Sequence, residues 1–240
     1  MPVHLLNDEL RFPPPEGADG QGIVAVGGDA SAARLELAYS QGIFPWPMEG
    51  LPLLWFSPDP RFVLFPEGVH LGRTLKRTMR RGRYEVRMDT RFREVIERAA
   101  KAPRPGQDGT WITDEIIAGF TELHDMGVAH SVETYVDGEL VGGLYGVSLG
   151  AAFFGESMFA TEPDASKVAF ASLLGHAFGP WSFSFVDCQV YTEHLARFGA
   201  MEIHRTAFLE DLADARTVPT RRHPWEVELT AEEVLDVLSG

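Results

Sequence analysis

Three polar side chains stand in segments that otherwise read as buried strands. Glu156 lies in AAFFGESMFA (151–160), and Asp187 and Gln189 lie in FSFVDCQV (183–190). A carboxylate among apolar neighbours is costly unless a cation, hydrogen-bond donors or a ligand offset its lost hydration. Side chains alternate along a strand, so Phe183, Phe185, Asp187 and Gln189 are expected on one face. Ser184, Val186 and Cys188 are then expected on the other. The same rule groups Ala152, Phe154, Glu156 and Met158. Taken singly, each carboxylate is explained by structure alone, Glu156 by pairing with Lys167 or with backbone amides. Taken together on adjoining strands, Glu156, Asp187 and Gln189 mark a site at least as well. Cys188, facing away from the polar pair, reads as a buried inert thiol rather than a nucleophile.

The elements that must position these residues run from His130 to Gln189. Ser131–Val136 alternates polar and apolar residues, as a half-buried strand does. Asp137-Gly138 supplies a two-residue hairpin turn into a second strand, Leu140–Leu149. Gly142, Gly143 and Gly146 lie in that strand, where glycine marks a bulge or a close backbone approach rather than a phosphate loop. Gly150 breaks it, and Ala151–Phe159 forms a third strand. Asp164 caps a helix from Ala165 to Phe178, and Phe183–Val190 returns as a strand. Hairpins followed by strand–helix–strand predict a mixed α/β (α+β) sheet.

Earlier in the chain, Gly22–Asp29 reads as a strand and Asp29 or Ser31 as the cap of a helix through Tyr39. The stretch from Gln41 to Leu64 is dense in proline and aromatic residues, equally suited to a braced core and to a binding wall. Arg73–Arg83 carries six basic residues in eleven and no acid: Arg73, Lys76, Arg77, Arg80, Arg81 and Arg83. With no acid at i,i+4 to pair them, they suit a phosphate backbone better than a self-neutralised helix face. Strand Tyr84–Asp89, helix Phe92–Lys101 and a helix capped by Thr110 or Thr113 and ending at Met126 follow. Glu193–Phe198 is a short helix, Ile203–Thr206 an edge strand, and the acidic tail from Leu209 turns helical at Ala231–Leu238.

The chain has 240 residues, a net charge of −14 and one cysteine. That length supports a substantial core, and a lone cysteine excludes an internal disulfide. The histidines at 124, 130, 176, 194 and 204 follow no metal-ligand spacing, and no metal or cofactor is expected. His124 and His130 read as hydrogen-bonded structural histidines. Neither a membrane-spanning stretch nor a secretory leader is visible, so a cytoplasmic protein is expected.

Several long and unusual segments resemble one family, the leucyl/phenylalanyl-tRNA–protein transferases. They are VGGD (26–29), AYSQGIFPWP (38–47), WFSPDPR (55–61), GTWIT (109–113), AHSVE (129–133), ELVGGLYGVSLG (139–150), FFGESMF (153–159), ASKVA (165–169), DCQ (187–189) and HLARFGAMEIHR (194–205). The resemblance implies a small N-terminal domain (1–62) and a GCN5-related-acetyltransferase-like domain (63–240) with an acidic C-terminal tail. It implies transfer of Leu, Phe or Met from aminoacyl-tRNA to a protein whose N-terminus is Arg or Lys, marking it for N-end-rule degradation. Asp187 would polarise Gln189, whose amide oxygen would align the incoming amine. Leu144, Phe154, Met158, Phe170 and Leu173 would form the pocket for the donor side chain, and Glu156 would hold its ammonium group. Trp46 and Trp111 would stack on the terminal adenine. The basic run 73–83 would grip the acceptor stem without reading its sequence. Two alternatives stay open on residues alone: an acetyl-CoA-dependent N-acetyltransferase, and a tRNA-binding module without catalysis.

Overall fold

A computed structural model describes residues 4–48, 50–103, 112–222 and 224–239. The chain opens with β1 (His4–Leu6), β2 (Ile23–Gly27), α1 (Ala32–Ser40), β3 (Phe44–Pro45) and β4 (Leu54–Phe56). The four strands form one sheet in the order β1-β2-β4-β3. Ser31 caps α1 by accepting from the Arg34 N–H, which satisfies one orphan donor of the first turn. There follow β5 (Arg61–Leu64), α2 (Arg73–Arg80), β6 (Glu85–Met88), α3 (Phe92–Lys101), α4 (Asp114–Asp125), β7 (Ala129–Val136), β8 (Glu139–Leu149) and β9 (Ala152–Ala160). The chain continues through α5 (Ala165–Phe178), β10 (Phe185–Gln189), α6 (Glu193–Ala196), β11 (Met201–Ile203), α7 (Arg205–Ala215) and α8 (Ala231–Val237). A second, seven-stranded sheet has the order β11-β5-β10-β9-β8-β7-β6. All its pairings are antiparallel except the crossover pair β9–β10, which α5 connects. The architecture is therefore mixed α/β, as the segment order predicts.

The hairpin between β7 and β8 turns at Asp137 and Gly138, both with positive φ (51° and 83°), the backbone of a primed turn. The polar–apolar alternation of β7 implies one wet face, yet Ala129–Tyr135 is buried throughout. Its polar residues are instead answered internally. Glu133, fully buried, accepts from the Thr90 and Arg91 N–H groups (3.0 and 2.8 Å), from Ser131 Oγ (2.8 Å), from Tyr135 Oη (3.0 Å) and from Thr90 Oγ1. His130 is likewise enclosed, bonded to Asp89 at 2.7 Å and stacked on Trp225, and His124 bonds the Ala129 carbonyl at 2.8 Å.

Two helices depart from expectation. Asp164 occupies the N-cap position of α5 but makes no capping bond; its backbone is left-handed (φ 66°) and its carboxylate pairs with Lys167 at 2.5 Å. Helix α7 begins where an edge strand was expected to end. Phe208, Leu212 and Ala215 bury one stripe at i, i+4 and i+7, a helical period that the acidic residues between them obscure. One apolar cluster is continuous from the small sheet through Tyr39 and Phe44 to Phe154, Phe185 and Phe208 on one face of the large sheet. A second lies on the opposite face beneath α5, with Phe153, Leu173 and Trp225. No described helix is long and apolar enough to cross a membrane.

Candidate functional site

The parallel pairing of β9 with β10 ends at Phe154–Asp187. Beside that point lies a cavity of about 400 Å³. Its walls are Leu144 and Tyr145 of β8, Phe153 and Gly155–Met158 of β9, Val186, Cys188 and Gln189 of β10, and Phe170 of α5. Phe44, Pro45 and Trp46 close one side, and Val190, Thr192, His194 and Leu195 close another. The proline- and aromatic-rich stretch thus serves both roles open to it. Trp55 and Phe44 are core, while Phe44 and Trp46 also face the cavity, with Trp46 against Phe56 at 5.7 Å.

Two bulges shape the polar end. On β9, Tyr145 pairs with Ser157 and Gly146 with Gly155, so Glu156 is an extra residue. Gly146 permits this: a Cβ there would lie 2.1 Å from the Phe154 carbonyl oxygen. The insertion reverses the alternation of the strand. Phe154 and Met158 were expected on one face, but Phe154 packs into the opposite core against Tyr39 and does not line the cavity, whereas Met158 does. Leu173, on α5, also stays outside it, fully buried in the core between that helix and the sheet. On β10, Asp187 pairs with Val63 and Gln189 with Phe62, which makes Cys188 the extra residue. Gln189 adopts φ 63°, a left-handed conformation that costs a residue with a side chain roughly 1 kcal/mol.

The second bulge corrects the face assignment around Asp187. Gln189 turns onto the cavity side with Cys188, while Asp187 stays behind it, fully buried and away from the lining. Asp187 reaches Gln189 through the main chain: its Oδ1 accepts from the Gln189 N–H at 2.9 Å, and the side-chain amide is not its partner. The Gln189 Nε2 donates instead to Glu156 Oε1. Cys188 is buried, and its thiol is pushed far above the usual range by that burial, so it remains an inert thiol although it faces the cavity.

Glu156 is 9 % exposed and, among the described residues, no cation pairs with it; Lys167, its expected mate, is taken by Asp164. Burial raises its carboxyl to about 8, and the charge of Asp187 adds to the rise. The hydroxyl of Tyr39, the Gln189 amide and the charge of Arg61 offset part of it. Neither Tyr39 Oη nor Glu156 Oε2 sits in a well-formed hydrogen bond. This carboxyl therefore exchanges its proton near neutral pH. His194, at the far wall, is held neutral by burial and by the nearby Lys167 and Arg197 charges.

Sequence reasoning missed Arg61. It is fully buried, donating from Nε and Nη2 to the two oxygens of Asp187 (2.9 and 2.5 Å) and from Nη1 to the Gly42 carbonyl (3.1 Å). The Phe44 and Phe208 rings lie 4.7 and 4.4 Å from its guanidinium carbon. The one available signal was a cation beginning an otherwise apolar strand, RFVL. Trp111 lies outside the described residues. On α2, Leu75 and Met79 face the core and Arg73, Arg77 and Arg80 face out. Arg81 and Arg83 follow the helix, also exposed, and Lys76 bonds Ser239 Oγ at 3.3 Å. Arg83 is not free of acids: Glu162 pairs with it at 3.0 Å, brought close by the fold. A second hollow of about 590 Å³ lies between the start of α2 and α6, lined by His70, Thr74, Lys167 and Arg197, and shares His194 with the first.

An apolar cavity with a proton-exchanging carboxyl and a directed amide at one end has the layout of a group-transfer enzyme handling an apolar side chain. Comparison with known proteins agrees. The family model described as leucyl/phenylalanyl-tRNA protein transferase matches residues 63–213, and that for its N-terminal domain matches 28–59. A leucyl/phenylalanyl-tRNA–protein transferase from Myxococcus xanthus is 60% identical over 227 residues, 94% of this chain and 97% of that protein. Proteins of the same name from Anaeromyxobacter sp. and Nitratidesulfovibrio vulgaris are 53% and 51% identical, each covering 95% of this chain and 97% of their own length. The chain belongs to the leucyl/phenylalanyl-tRNA–protein transferase family and is an aminoacyltransferase. Among solved structures, a functionally unknown conserved protein from Staphylococcus epidermidis aligns with a TM-score of 0.41 at 10% identity, over 76% of this chain and 68% of its own.

Proposed function

We propose that this enzyme moves Leu, Phe or Met from aminoacyl-tRNA to the N-terminal Arg or Lys of acceptor proteins, marking them in the cytoplasm for N-end-rule degradation. The observation that carries the proposal is the cavity itself, apolar along Leu144, Phe153, Met158 and Phe170 with the Glu156–Gln189 pair at its end. The aminoacyl side chain fills the apolar part. Such a wall separates similar apolar guests by only about 1–3 kcal/mol, which suits a donor set of Leu, Phe and Met. Glu156 passes its proton to the donor's α-amine and, as a carboxylate, holds the ammonium group so formed. With its Nε2 committed to Glu156, Gln189 keeps its carbonyl oxygen to accept from the incoming α-amine.

That amine attacks the ester carbonyl, the C–O bond to the tRNA ribose breaks, and one proton passes from nitrogen to the ribose oxygen. The ester is already activated, so positioning and a modest proton acceptor suffice. Trp46 supports the terminal adenine, and the exposed cations at 73–83 hold phosphates, with the 590 Å³ hollow as the path between them. A small N-terminal domain over 1–62 and a GCN5-related-acetyltransferase-like domain over 63–240 belong to the same proposal, supported by the separate four- and seven-stranded sheets. The test follows radiolabelled Leu from Leu-tRNA to a peptide beginning with Arg. Label on the Arg peptide, and none on one beginning with Ala, is the expected result; failure of any label to move refutes the proposal.

A further inference from the structure

Arg61 does not line the cavity, yet every described polar contact it makes ends on a segment that shapes the cavity. Its Nε and Nη2 grip both oxygens of Asp187, on the strand that ends in Gln189. Its Nη1 holds the Gly42 carbonyl, two residues before Phe44, and the Phe44 ring that covers its guanidinium is itself a cavity wall. Asp187 in turn uses Oδ1, the oxygen bonded to Arg61 Nε, to accept from the Gln189 N–H. That N–H belongs to the left-handed residue of the β10 bulge. The bulge turns the Gln189 side chain into the cavity and onto Glu156.

We infer that Arg61 is a positioning residue for aminoacyl transfer: through Asp187 it fixes the strained turn that aims Gln189, and through Gly42 and Phe44 it clamps the facing wall to the same frame.

The planar fork of arginine is required. Lysine keeps the charge but cannot hold two carboxylate oxygens and a carbonyl in one plane between two rings. Without the fork, Asp187 is free to rotate, the N–H of Gln189 loses a fixed acceptor, and residue 189 relaxes toward ordinary strand geometry. A regular strand would carry its side chain to the face where Asp187 now lies, out of the cavity. Asp187 then acts on Gln189 from behind, as part of the same frame, and it also does not touch the substrate.

The inference rests on the proposed transfer reaction only for its kinetic readout. Arg61→Lys is assayed with Leu-tRNA and an Arg-initiated peptide, beside a remote core variant of similar melting temperature, Ile96→Val on α3. Hydrogen–deuterium exchange at the Gln189 amide is measured on the same samples. For Arg61→Lys, kcat is expected to fall about 100-fold while the donor KM stays within about 3-fold of wild type. The Gln189 amide exchanges faster in that variant, and Ile96→Val changes neither readout. Should Arg61→Lys fail to fold, Asp187→Asn keeps an oxygen for the Gln189 N–H with a weaker grip, and is expected to show both changes in milder form. Wild-type kcat together with wild-type exchange at Gln189 in the folded variant overturns the inference. If the wild type transfers no label, the proposed function fails, and the exchange measurement still decides the role of Arg61.

Discussion

Two buried glutamates, one on β7 and one on β9, receive opposite treatment from the same sheet. Glu133 is wrapped by five donors, two of them backbone N–H groups. Glu156 receives one side-chain amide, leaves an oxygen without a well-formed bond, and opens on a cavity. Glu133 stands in a strand that alternates polar and apolar residues and Glu156 in one that reads as buried, yet the fold buries both. The difference lies in how many donors the fold supplies. A carboxylate whose donors are complete is a structural fastener, because its oxygens have no acceptor capacity left for a ligand. One that burial drives toward neutrality, beside room for a ligand, is available to gain or lose a proton during a reaction.

The comparison breaks first on pH. The Glu156 carboxyl rises from 4.5 to about 8 on folding, so between those values the native state holds a proton that the unfolded chain has released. Stability from this group is complete below about pH 4.5 and is lost as pH rises through 8, by at most about 5 kcal/mol. Urea unfolding of wild type against Glu156→Gln should show the variant gaining relative stability across that window; parallel curves would mean that folding does not raise the Glu156 carboxyl. Glu133→Gln sets an amide NH2 against donors and should cost about 3 kcal/mol, with the transfer rate per folded molecule unchanged. A loss of rate without a loss of stability would erase the distinction.

Beyond the two carboxylates, reversing charge at Arg77, Arg80 and Arg81 should raise the donor KM about 10-fold at low salt, with the gap closing as salt rises. An unchanged KM removes the patch from the donor path. Met158→Ala, which enlarges the cavity without touching its polar end, should shift the Phe/Leu preference toward Phe roughly 10-fold. Equal preference would mean that the side chain sits elsewhere.

Much of the fold was legible because its signals are local. The Asp137-Gly138 turn, the Ser31 and Thr113 caps and the apolar run of α5 each specify an element from a few neighbouring residues. The pairing of Glu156 with Gln189 was half legible, since polar residues on buried strands attract notice but their facing depends on strict alternation. One extra residue on each strand, Glu156 on β9 and Cys188 on β10, inverts that alternation. This is why Phe154 was expected in the cavity and Cys188 outside it. The Arg61–Asp187 pair spans 126 positions of sequence, and no period links the two residues. Burial, which only the folded chain defines, is what makes that contact strong.

The central claim is that the under-satisfied pair at the end of the cavity carries transfer. Its most direct test is single-turnover transfer of Leu from Leu-tRNA to an Arg-initiated peptide by wild type, Glu156→Gln and Gln189→Ala, each shown to melt cooperatively. Rates about 100-fold below wild type in both variants are predicted. A wild-type rate in either folded variant would contradict the account.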